Sequence, residues 1–138
     1  MNGAYQVVVV GPNAESTREL GGILNRCGVE PEFATTVRET QQLLARRRVS
    51  LVFCDETLPD GNFRDVLRAA KSQRARVPVV VSTRNDDWDN YLEALRLGAF
   101  DYLVGPFSAA DVELLVRYAF RSAQAQEASQ RRRAPQAA

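Results

Sequence analysis

The chain predicts an α/β fold, a five-stranded parallel sheet of order 2-1-3-4-5 wound on both faces by five helices into a three-layer sandwich. Strand-like apolar runs alternate with helical repeats five times along it. Two of these runs, Val7–Val10 and Leu51–Cys54, are continuous rather than alternating, the mark of strands buried on both faces. Right-handed crossovers then leave few topologies for five such units. With 138 residues, 45% apolar and 25% charged, the chain has the ordinary globular mix and the length for one well-filled core.

The first strand is Gln6 to Val10, broken by Gly11 and Pro12, with Asn13 placed to cap a helix over Ala14 to Cys27. Ala14, Thr17, Leu20, Ile23, Leu24 and Cys27 recur at helical spacing, and Gly28 follows as a C′ residue. Gly21 and Gly22 weaken this helix by roughly 1 kcal/mol each relative to alanine, which a close backbone approach would explain. Glu30 to Thr35 is the second strand. Val37 to Arg47 is the second helix, inward at Val37, Thr40, Leu43 and Leu44. Arg46, Arg47 and Arg48 close it as cations complementing the negative end of the helix dipole, a simpler reading than a nucleic-acid patch. Val49 to Cys54, Val77 to Ser82 and Phe100 to Val104 are the remaining strands. Helices over Phe63 to Ser72 and Asp86 to Leu97 separate them, and Gly98 ends the latter. The last helix runs from Ser108 to about Gln126, opened by the capping box Ser108-Ala109-Ala110-Asp111. Residues 1–123 read as the domain. Residues 124–138, polar and carrying Arg131-Arg132-Arg133, read as a helical extension or linker.

Composition excludes several chemistries. Eighteen basic side chains against 17 acidic ones favour no polyanionic or membrane partner. Histidine is absent, which removes the commonest general base and metal ligand. Cys27 and Cys54 stand far apart without metal-ligand spacing and read as two buried thiols in a reducing compartment. The apolar stretch at Val7–Val10 is too short for a signal peptide or a membrane span, so a cytoplasmic, soluble protein is expected.

Asp55 ends the third strand, at the carboxyl edge where open α/β sheets place their chemistry, and Leu58-Pro59-Asp60-Gly61 turns away from it. Val77-Pro78-Val79-Val80-Val81-Ser82-Thr83 is a strand ending in hydroxyls. Leu97-Gly98-Ala99-Phe100-Asp101-Tyr102-Leu103-Val104-Gly105-Pro106-Phe107 leads into the last helix. With these three segments in this order, the chain resembles the receiver domains of two-component response regulators over roughly residues 5 to 123. The resemblance implies a flavodoxin-like (βα)5 fold and a role in phosphorelay signalling. It makes Asp55 the candidate phosphoacceptor, Thr83 and Tyr102 the switch residues, and Gly105–Pro106 a cis peptide. Gly11, Pro12, Glu56, Arg84, Gly105 and Pro106 would line the pocket.

The departures from the family pattern bear on function. Receivers carry two adjacent acids after the first strand, which bind Mg²⁺, and a lysine after the fifth strand. Here those positions hold Gly11, Pro12 and Gly105, and Lys71, the one lysine, falls in the third helix. Phosphoryl transfer to a carboxylate relies on cations to offset developing charge. Loss of these groups implies weak or absent Mg²⁺ binding, no cofactor, and an atypical receiver. Such a module acts through protein contact rather than as an enzyme. Two alternatives stay open. Asp55 is still phosphorylated by a partner histidine kinase, with Arg84 or the partner supplying charge, or the emptied pocket takes a small ligand. Arg84 itself reads most simply as an exposed loop residue.

Partners are expected on the fourth helix, fifth strand and fifth helix, where Trp88, Tyr91, Tyr102 and Tyr118 gather. Tyr91 and Leu95 are expected to be core and Trp88 partly exposed. The family implies that this face meets another signalling protein or a second copy as a homodimer. Nucleic acid would enter only through an output domain beyond these residues.

Overall fold

The computed structural model describes residues 6–73, 76–84 and 87–133. Five strands form a parallel sheet: β1 (Gln6–Val10), β2 (Glu32–Ala34), β3 (Val49–Asp55), β6 (Val79–Thr83) and β7 (Asp101–Val104). Their order is β2-β1-β3-β6-β7, the doubly wound order expected. A small antiparallel pair, β4 (Thr57–Leu58) and β5 (Gly61–Asn62), stands where only a turn was predicted. The helices are α1 (Ala14–Arg26), α2 (Val37–Arg46), α3 (Phe63–Lys71), α4 (Trp88–Arg96) and α5 (Ala109–Arg133).

The pleat divides the core in two, because successive strand residues point to opposite faces. Val7, Val9, Leu51, Phe53 and Val80 pack with α1 and α5 through Leu20, Leu24, Val112 and Val116. Val8, Val10, Val52, Cys54 and Val81 pack with α2, α3 and α4 through Leu44, Phe63, Val66 and Ala94. The third strand is therefore buried without interruption until it reaches Asp55.

Several boundaries differ from the sequence expectation. The second strand is shorter. The fourth starts at Val79 and takes in Thr83, because Pro78 offers only its carbonyl, to Val52 N–H. The fourth helix, expected over Asp86 to Leu97, spans Trp88–Arg96 and is capped by Asp87, which accepts from the backbone of Asp89 and Asn90; Asp86 lies outside the described residues. The expected capping box of α5 reduces to one long bond, Asp111 N–H to Ser108 Oγ at 3.4 Å. A complete box instead opens α3, where Asn62 and Asp65 satisfy each other's backbone. α5 also runs on to Arg133, through the segment read as extension or linker.

Cys54 is buried, but Cys27 is only half-buried, which corrects the reading of two buried thiols. Gly28 and Gly98 follow their helices with φ of +83° and +96°, as C′ residues. Gly21 does meet a close neighbour, the Phe33 ring, whose Cζ lies 2.9 Å from where a β-carbon would stand. Among the described residues no helix is long and apolar enough to cross a membrane.

Candidate functional site

Asp55 pairs in parallel register with Ser82, so both point to the α1 and α5 face at the carboxyl edge of the sheet. Ser82 Oγ donates to Asp55 Oδ1 at 3.1 Å, and the Ser16 hydroxyl on α1 bonds the same carboxyl. Burial pushes the Asp55 carboxyl above the ordinary aspartate range, while Ser82, Ser16 and the nearby Arg84 charge pull it down and Glu56 adds to the rise. A cavity of about 230 Å³ opens over it, bounded by Pro12, Ser16, Glu56, Thr57, Ser82, Thr83, Arg84 and Phe107.

Arg84 is an exposed loop residue as expected, and its ion-pair partner is Glu19 rather than Asp55. Its Nη2 lies 3.2 Å from Glu19 Oε1 on α1, and Glu19 Oε2 also accepts from Phe107 N–H at 3.4 Å. One α1 carboxylate thus ties the loop after β6 to the loop after β7. Over half of the Arg84 side chain stays in solvent, and its charge still reaches Asp55.

The three positions that lack the family's charged groups differ in kind. Gly11 is buried, and a β-carbon there would stand 2.6 Å from Ser16 Oγ, 2.6 Å from Thr17 Cγ2 and 3.0 Å from Asp55 Oδ2. The Ser16 and Thr17 side chains of α1 close over this position, so a side chain there would require them to shift. Pro12 lies exposed beside it at the rim of the cavity. Gly105 has room: a β-carbon there would make ordinary 3.5 Å contacts with Phe107 and the Thr83 carbonyl. Its N–H bonds the Thr83 carbonyl at 2.7 Å, and the Gly105–Pro106 peptide is cis.

Glu56 and Thr83, each one residue further along, border the same cavity but turn to other partners. Thr83 Oγ1 donates to Glu56 Oε1 at 2.7 Å, and Tyr102 Oη donates to Glu56 Oε2 at 2.5 Å. Burial followed by the Glu56 carboxylate raises the Tyr102 phenol well above its usual range, with the Thr83 hydroxyl opposing the rise. The Tyr102 ring meets Tyr91 edge-on at 5.5 Å, and Tyr91 stacks on Trp88 at 5.2 Å. Trp88 is 66% exposed and Tyr118 48%. Tyr91 packs against the core as expected, but Leu95 is 40% exposed, because Ala94 is the residue of α4 that turns fully inward.

Of the residues expected at the pocket, Pro12, Glu56 and Arg84 line the cavity with Asp55 and Thr83, whereas Gly11, Gly105 and Pro106 are not part of its lining, and Ser16 and Glu19 were not among those expected. The available signal was their i, i+3 spacing in the first turns of the helix after β1, which puts both on one face over the strand ends.

Comparison with known proteins agrees with this geometry. The family model described as the response regulator receiver domain matches residues 7–117. The response regulator protein PilR of Pseudomonas aeruginosa is 33% identical over 98 residues, covering 71% of this chain and 22% of PilR. The transcriptional regulatory protein QseB of Escherichia coli O157:H7 is 36% identical over 98 residues, 68% of this chain and 45% of QseB. The chain therefore spans less than half the length of these curated relatives. Among solved structures, a CheY-like receiver domain protein from Methanospirillum hungatei superimposes with a TM-score of 0.78 at 20% identity, covering 88% of this chain and 98% of that one. The beryllofluoride-activated NtrC4 receiver domain dimer gives 0.77 at 27% identity, with 85% and 97% covered. With the family model spanning most of its length and Asp55 at the strand edge, the chain belongs to the response regulator receiver domain family.

Proposed function

We propose that this receiver domain of two-component signalling is atypical: it works through protein contact, without Mg²⁺-dependent phosphorylation of Asp55. The observation that carries the reading is the closure of α1 over Gly11. Mg²⁺ asks for near-octahedral oxygen ligands. Two carboxylates border the cavity, Asp55 and Glu56, but both Glu56 oxygens are already engaged by the Thr83 and Tyr102 hydroxyls. Gly11 and Pro12 supply no side-chain donor, and the space an acid would need is taken by Ser16 and Thr17. The residues present do not fit the metal. The contact surface is the face of α4, β7 and α5, where Trp88, Leu92, Leu95, Val104 and Tyr118 are exposed. Its partner is a histidine kinase, another signalling protein or a second copy of the chain.

A second reading keeps phosphotransfer to Asp55 from a partner kinase. The open cavity and the Arg84 charge beside it favour this reading. Intact mass after incubation with a small acyl phosphate, with and without Mg²⁺ and beside Asp55→Asn, decides between them. The contact reading expects no phosphoryl adduct under any condition. An adduct on the wild type that disappears in Asp55→Asn would overturn it. If that adduct also formed without Mg²⁺, the second reading would replace it, with Arg84→Ala expected to abolish the adduct.

A further inference from the structure

Two adjacent carboxylates border the cavity and turn to different partners, Asp55 to Ser82 and Ser16, Glu56 to Thr83 and Tyr102. Glu56 makes no bond to the phosphoacceptor side; each of its oxygens takes one hydroxyl of the switch pair. Its backbone carbonyl accepts from Phe63 N–H at 3.0 Å, so the first turn of α3 braces the residue from behind. We propose that Glu56 is a built-in ligand for the switch, its carboxylate holding Thr83 and Tyr102 buried without any phosphoryl group and so fixing the surface that α4 and β7 present.

The physical case rests on satisfaction of buried polar groups. Thr83 is 7% exposed and Tyr102 8%, so each hydroxyl needs a partner inside the protein. An ionised acceptor makes the stronger kind of hydrogen bond, and a bidentate carboxylate takes both donors in one fixed geometry. Tyr102 lies on β7, the edge strand of the sheet, so its ring has a route to solvent once the acceptor is gone. Its movement would be transmitted, because Tyr91 contacts it on one side and Trp88, the single tryptophan, on the other. The lock deepens the contact reading, on which it rests for the meaning of that surface; its own test needs no partner.

The experiment is tyrosine nitration of the free protein with peptide mapping, using half-exposed Tyr118 as internal standard. In the wild type, Tyr102 should be protected relative to Tyr118. In Glu56→Ala, Tyr102 nitration should rise by about tenfold or more, the scale of one lost charged hydrogen bond gating local opening, and Trp88 emission should shift. Glu56→Gln keeps the shape but offers a single acceptor oxygen, so it should show a smaller rise. It carries the test if the alanine variant fails to unfold cooperatively. Tyr102 remaining as protected in the folded variants as in the wild type would overturn the lock. The acyl phosphate experiment reports on Asp55 alone, so an adduct there with Tyr102 released by Glu56→Ala would overturn the contact reading and leave the lock standing.

Discussion

Burial holds the Asp55 carboxyl above the ordinary aspartate value of 3.8, against the pull of Ser82, Ser16 and Arg84. A carboxyl raised on folding binds its proton more tightly in the native than in the unfolded chain. Its contribution to stability is therefore fully present below 3.8 and is lost as pH rises through the folded value. Asp55→Asn keeps an acceptor for Ser82 and removes the buried charge. It should raise the urea midpoint at pH 7, and the gap should close as pH falls below the ordinary value. A lower midpoint for Asp55→Asn than for the wild type at pH 7 would mean that the charged form is favoured by contacts with Ser16 and Arg84. Legibility at this scale was uneven for a physical reason. Asp55 was visible because an apolar strand delivers it to a known edge. Glu56 was placed at the pocket and does border it, but its carboxylate is taken up by Thr83 and Tyr102. Ser16 and Glu19 reach the site only through the packing of α1 across the strand ends, which their i, i+3 spacing permits but does not by itself require.

Helices and strands of this chain are legible where their signals are local, and less so where a neighbour decides. The continuous runs at Val7–Val10 and Leu51–Cys54 became central strands, and Gly28 and Gly98 became C′ residues as their positions required. The β4–β5 pair was not foreseen, because Pro59, Asp60 and Gly61 read equally well as an open turn. Its tip has a role beyond turning: Asp60 accepts from Val37 and Arg38 N–H at 2.7 and 3.1 Å, capping α2 from across the fold. The glycine pair in α1 shows both cases side by side. Gly21 exists beside a tertiary neighbour, the Phe33 ring, whereas a β-carbon at Gly22 would meet nothing nearer than Arg26 Nη1 at 3.8 Å. Gly22→Ala should therefore stabilise the domain by roughly 0.5–1 kcal/mol, the helix-propensity difference. Gly21→Ala gains the same propensity but must displace the ring, so its urea midpoint should fall below that of Gly22→Ala. Equal midpoints would show that Phe33, which is 52% exposed, moves aside without cost.

At the scale of the whole molecule, the two half-cores predicted by the doubly wound order are filled as expected, and the surprise is how far the last helix outruns them. α5 is anchored by Val112, Leu115, Val116 and Ala119, all buried on the α1 side of the sheet. Beyond Ala123 an ion pair ties it to the domain, Arg48 to Glu127 at 2.6 Å, with Arg48 largely in solvent. Such a surface pair contributes about 0–1 kcal/mol. A free helix of ten or so residues is marginal in water, so the stretch over residues 124–133 owes its helicity to propagation from the anchored turns. Ending the chain after Ala123 should therefore leave a cooperatively unfolding domain whose stability differs by no more than about 1 kcal/mol, the value of the lost pair. In the intact chain, amides of residues 124–133 should exchange with solvent far faster than those of Val112 to Phe120, since they open without disturbing the core. Protection running undiminished to Arg133, or a much larger loss of stability on truncation, would mean that the extension is held by a second surface, either of this chain or of a copy beside it.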